Sequence, residues 1–241
     1  RTDLAVEARE LWQEGAGQAA RLPGVTAEGG NREGIPVTTV RILDQEGEQA
    51  LGKPRGNYVT LTLDGVARRE EDIFGRAARA VAGELSSLLE GVAPDGLVLV
   101  VGLGNRAITP DAIGPKVHER TLVTRHLVRQ MPEHFGSFRP VASLAAEVLG
   151  NTGMESGEVA RAVCEDIRPA CVIAVDALAS RSLDRLCRTV QLSDTGITPG
   201  SGVGNHRHSL TKESLGVPVL AIGVPTVIDA KTLIIDSLDG Y

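Results

Sequence analysis

Two kinds of apolar pattern divide the chain. Leu97-Val98-Leu99-Val100-Val101 and Cys171-Val172-Ile173-Ala174-Val175 are uninterrupted, as in strands buried on both faces, and 217–223 reads the same way. Residues 37–43 and 58–63 instead alternate apolar and polar side chains, the pattern of strands with one solvated face. A short strand is predicted over 189–192. Helical spacing predicts a helix from Thr2 to near Trp12, with Leu4, Ala8 and Leu11 on one face and Thr2 or Asp3 as its cap. Further helices are predicted over 70–89, ending at Gly91, over 113–129 through Val117, Leu122 and Leu127, over 156–167 and over 227–238. Residues 141–149 fit strand or helix equally. Three segments read as connections: the Gly-rich 24–34, the charged, hairpin-like 47–56 with Pro54, and 196–204 with Pro199. There is no internal repeat.

From Glu70 onward helix and strand alternate, which predicts an α/β fold: a doubly wound, mostly parallel (mixed) sheet flanked by crossover helices. The alternating strands before it predict a small antiparallel N-terminal addition. The expected organisation is a single α/β domain over 1–241, with an extension over 1–65 and a catalytic core over 66–241.

Composition narrows the function classes. The 241 residues are 42% hydrophobic but hold only three Phe, two Tyr and one Trp, so the core must be aliphatic. A net charge of −6 provides no basic field for direct nucleic-acid binding. No apolar run is long enough to span a membrane and no secretory signal is visible. Cys164, Cys171 and Cys187 are odd in number and lack Cys-x-x-Cys spacing, so they read as reduced thiols of an intracellular protein. The chain does not begin with Met, which suggests a processed product or a trimmed piece whose ends are not the gene's ends.

The chemistry concentrates at strand ends. One apolar run leads through Gly102-Leu103-Gly104-Asn105 to Thr109-Pro110-Asp111, and the other leads straight into Asp176. Ligands of open α/β sheets bind beyond the carboxyl ends of the strands. Two carboxylates there can share a proton and activate a water. The plainer alternatives are helix caps: Asp111 for the helix from Ile113, Asp176 for a helix after Ala179. Gly102-x-Gly104-x-x-Ala107 matches a dinucleotide fingerprint, but Pro110 and Pro115 delay the helix and no acidic strand end follows at the ribose position. Asp194-Thr195-Gly196 matches the tripeptide of pepsin-like proteases on the wrong fold pattern, and reads better as a turn. His206-x-His208 lacks a third ligand placed by spacing.

Several stretches together resemble the germination proteases of spore-forming bacteria. They are residues 1–8 (Arg-Thr-Asp-Leu-Ala-Val-Glu-Ala), 101–105, 109–115, 172–181, 223–227 and, most specifically, 193–205 (Ser-Asp-Thr-Gly-Ile-Thr-Pro-Gly-Ser-Gly-Val-Gly-Asn). The resemblance implies an α/β fold of the phosphorylase/hydrolase-like kind, related to the hydrogenase-maturation proteases. It implies an endopeptidase that begins degradation of small acid-soluble spore proteins, acts in the cytoplasm of the forespore or spore core, is made as a zymogen, trims its own N-terminus and forms a homotetramer. It assigns the catalytic aspartates to Asp111 and Asp176, and not to Asp194. Asn105, Gly200, Gly202 and Gly204 become candidate substrate contacts. Thr2-Asp3-Leu4-Ala5-Val6-Glu7 looks like a copy of the family's substrate site, which implies self-processing between Asp3 and Leu4. No metal or cofactor is expected. Family members have lysines where His206 and His208 stand, and they continue past Tyr241, so their C-terminal part is expected to be missing here. Two other readings stay open: a metal-dependent hydrolase or maturation factor of the same fold with Asp111 and Asp176 as ligands, and a nucleotide-binding module using Gly102 and Gly104.

Overall fold

The computed structural model describes residues 2–16, 22–199 and 208–239. Among these, eight strands form one mixed sheet: β1 Val25–Arg32, β2 Ile35–Ile42, β3 Gly56–Thr62, β4 Val98–Gly102, β5 Val141–Ala145, β6 Cys171–Ser180, β7 Thr189–Ser193 and β8 Val219–Ile228. Their order across the sheet is β1-β2-β3-β7-β8-β6-β4-β5. The α/β expectation holds, and so does the antiparallel character of the first strands. The described residues fall into two compact units, one from 1–87, 178–195 and 223–241, the other from 88–177 and 196–222.

In the first unit, β1, β2, β3 and β7 pair antiparallel in succession. The Gly-rich segment predicted as a loop is in fact β1. Glu33 and Gly34 both take positive φ, 56° and 77°, and close a two-residue hairpin of the kind that matches strand twist. Pairing with β2 along its whole length offsets the poor strand preference of Gly29 and Gly30. The connection predicted as hairpin-like holds a helix, Gln45–Leu51, started by the Asp44 carboxylate on Gly47 N–H at 3.0 Å and stopped by Gly52 in the left-handed conformation. The first helix, Ala5–Ala16, buries Ala5, Val6 and Glu7. Ala5 joins a core with Val40, Ile42, Leu51 and Tyr58.

In the second unit, β4 pairs parallel with β5 on one side and β6 on the other. Leu99, Val101, Val172 and Ala174 are buried with Leu103, Ala160, Cys164, Leu210 and Val219. Each buried Leu or Val side chain among them contributes about 1.5–3 kcal/mol by leaving water. The ambiguous 141–149 resolves as β5 followed by a short helix, Leu149–Thr152. The helix predicted over 113–129 is broken into Ile113–Arg120 and Arg125–Gln130. Between them Thr124 is drawn to β5: its N–H donates to the Val141 carbonyl (3.0 Å), its Oγ1 donates to the Arg139 carbonyl (2.6 Å) and accepts from Val141 N–H (2.9 Å).

Candidate functional site

Both candidate aspartates lie in the second unit, Asp111 in the connection that follows β4 and Asp176 on β6, just beyond its pairing with β4. The register runs Val98↔Cys171 to Gly102↔Val175, and Leu103 N–H adds one more bond to the Val175 carbonyl at 2.8 Å. Asp176 is the next residue of β6. It was expected just past the strand, yet β6 runs on to Ser180, so Asp176 is strand-borne and only its pairing with β4 has ended. Its side chain is 5% exposed, and Oδ1 accepts from Ala177 N–H at 2.8 Å. No helix follows Ala179 directly, so the cap role weighed for Asp176 has no helix to serve.

Beyond β4 the chain curls back on itself. Thr109–Asp111 is a single 3₁₀ turn, and Asp111 Oδ2 accepts from Asn105 N–H at 2.7 Å. Asn105 Oδ1 in turn accepts from Ala107 N–H at 2.9 Å. Gly104 makes the curl possible: its φ is 109°, and a Cβ there would sit 2.1 Å from the Asp111 carbonyl oxygen and 2.9 Å from Asp111 Oδ1. The cap position of the following helix falls on Ala112, not Asp111. Two residues farther, Gly114 presses its backbone on the strand ends. A Cβ on Gly114 would lie 2.2 Å from the Leu103 carbonyl oxygen and 2.6 Å from that of Val175. The Asp111 turn is thereby packed on the residue that precedes Asp176. This spacing of glycines is legible in the sequence; the close backbone approaches that they allow are visible only in three dimensions.

The other sequence candidates divide. Asp194 belongs to the first unit, where it is exposed and receives Asn57 N–H at 2.8 Å and Asn57 Nδ2 at 2.5 Å. Its carboxylate ties the bend after β7 to Asn57 of β3, a contact between distant segments rather than a local turn. Gly200, Gly202, Gly204 and His206 lie outside the described residues. The flanks of that segment are paired, Ile197 N–H to Leu210 carbonyl at 2.9 Å and the reverse at 2.8 Å. His208 is exposed. Among the described residues no group of three His, Cys, Asp or Glu is arranged to hold a metal, and no helix is long and apolar enough to cross a membrane. Cys164 and Cys171 are buried thiols, and burial pushes both above the ordinary range.

Asp3 and Leu4 lie in the first unit, and there sequence reasoning missed their partners. Asp3 N–H donates to the Ala179 carbonyl (2.9 Å), and Asp3 Oδ2 accepts from Ala179 N–H (2.8 Å). The Asp3 carbonyl accepts from Lys53 Nζ at 2.8 Å and from Gln191 Nε2 at 3.2 Å. Glu7, 2% exposed, accepts from Arg181 N–H (2.7 Å), Ser182 N–H (3.0 Å), Arg185 Nη1 (3.4 Å) and the Thr2 hydroxyl. Strand alternation over 189–193 could have turned Gln191 inward. Nothing in the irregular surroundings of Lys53 signals its role.

The fold is that of an α/β protein with one mixed eight-stranded sheet flanked by helices. The chain belongs to the germination protease family, whose model matches residues 5–241, and it is therefore an endopeptidase. It is 50% identical over 240 residues to the germination protease of Caldanaerobacter subterraneus subsp. tengcongensis, covering 99% of this chain and 72% of that protein. A germination protease of Clostridium perfringens is 47% identical over 241 residues, covering 99% of this chain and 73% of the relative. One from Bacillus cereus is 46% identical over 242 residues, 99% of this chain and 66% of its own.

Proposed function

We propose that this endopeptidase hydrolyses small acid-soluble spore proteins at germination with a water activated by Asp111 and Asp176. The observation that carries the reading is the packing of Gly114 on the Val175 carbonyl, which ties the Asp111 turn to the strand bearing Asp176. One carboxylate is ionised and takes a proton from water; the other is protonated and polarises the scissile carbonyl. Asn105, whose backbone N–H donates to Asp111, orients that carboxylate and is proposed as a substrate contact. Gly200, Gly202 and Gly204 are proposed as further substrate contacts. The protein is made as a zymogen, is cut between its own Asp3 and Leu4, assembles as a homotetramer and works in the spore core.

The test is the intact mass of products after incubation with a small acid-soluble spore protein in the presence of a chelator. A single cut at an acidic-apolar junction is expected. Activity that vanishes on chelation and returns with one divalent ion would instead support the metal-dependent reading, with Asp111 and Asp176 as ligands.

A further inference from the structure

The N-terminal segment is not merely docked; one peptide bond in it is held in a specific way. Gln191, 7% exposed, spans the Asp3–Leu4 junction with a single amide: Nε2 donates to the Asp3 carbonyl at 3.2 Å while Oε1 accepts from Ala5 N–H at 2.8 Å. Lys53 Nζ reaches the same Asp3 carbonyl at 2.8 Å. Two donors thus converge on one carbonyl oxygen, one of them an ammonium. Downstream, buried Glu7 is fixed by the backbone of Arg181 and Ser182, and Arg185 joins Glu7 to Glu10 with bonds of 2.8 Å to each oxygen of Glu10. Upstream, Asp3 is paired with Ala179 through both main chain and side chain. Leu4 is fully buried. The junction cannot slide in either direction.

We propose that Lys53 and Gln191 are the carbonyl-binding pair for cleavage of this chain's own Asp3–Leu4 bond. This rests on the self-processing reading above. In that reaction water adds to the Asp3 carbonyl carbon, the C–N bond to Leu4 breaks, and a proton passes to the Leu4 nitrogen. Asp3 gains a carboxylate and Leu4 an amine. Between these states the Asp3 oxygen carries negative charge, and donors already aimed at it stabilise that charge without reorganisation. An ammonium contributes more than a neutral amide because the bond to an anion is charge-assisted on both sides. Burial holds Lys53 below the ordinary lysine range, opposed by Asp3 and Glu7, the charged groups that face it. An ammonium kept in such a place without full solvation has most to gain from a developing oxyanion.

The experiment follows self-cleavage by intact mass in the whole chain, comparing wild type with Lys53→Met and Gln191→Glu, the second of which keeps the acceptor for Ala5 N–H. Wild type is expected to lose residues 1–3. Loss of one such donor slows reactions of this type about 10²–10³-fold, and each variant is expected to fall in that range. The wild-type rate is expected to decline as alkaline pH deprotonates Lys53, a limb missing from Lys53→Met; a purely structural lysine would leave that limb in place. Variants that cut within about threefold of wild type overturn the inference. If Lys53→Met does not fold by circular dichroism, the Gln191→Glu rate decides alone. A wild type that digests spore protein but never loses residues 1–3 refutes self-processing at this bond, and the inference falls with it.

Discussion

At the residue scale, what separates the aspartates of this chain is who receives their carboxylates. Asp194 is spent on Asn57 at a solvent-exposed bend, whereas Asp111 is aimed by Asn105 and Asp176 is buried at the limit of strand pairing. Replacing Asp111 or Asp176 by Asn is expected to lower kcat at least about 10³-fold on a spore-protein peptide while leaving the melting temperature within a few degrees, because the side-chain volume is kept. Asp194→Asn should do the opposite, losing a few degrees and little rate. Steady-state kinetics beside thermal melting check all three, and near-normal turnover in the first two variants would refute the proposed mechanism. These carboxylates were legible in the sequence because each follows an apolar run. The receivers were not: Asn57 is 137 residues from Asp194, and no periodicity links them.

At the element scale, packing revised the predicted boundaries. Helical spacing from Ile113 through Leu127 is genuine, yet the helix stops at Arg120 because Thr124 makes three bonds to the chain around β5. Thr124 is 4% exposed, so Thr124→Val would leave Val141 N–H and the Arg139 carbonyl short of partners in a buried place. The expected loss is about 2 kcal/mol, read as a lower denaturant midpoint with an unchanged slope; an unchanged midpoint would show that the helix break has another cause. The caps of the Gln45–Leu51 helix stood in the sequence all along, Asp44 before it and Gly52 after it, and were obscured by Pro54 and the surrounding charge. β1 was the harder case, since only its partner strand makes Gly29 and Gly30 extended.

At the scale of the whole molecule, the sequence resemblance and the family match agree over nearly the whole chain, from residue 5 to residue 241. The proposed homotetramer is tested by sedimentation velocity on the purified chain. A boundary at four times the mass of one chain is expected, and a single boundary at the mass of one chain, unchanged over a broad concentration range, would contradict it.

The order of buried and half-buried strands, the aliphatic core and the placing of two aspartates after apolar runs were all determined by sequence alone. These depend on side-chain period and on burial, both of which are local in the chain. Only the tertiary structure decided that the 102–104 glycines serve a close backbone approach, that β6 carries Asp176 within its length, and that Lys53 and Gln191 meet at the Asp3 carbonyl. Those outcomes depend on which distant segments share a volume, and a polar side chain far along the chain leaves no periodic mark of the partner it will find.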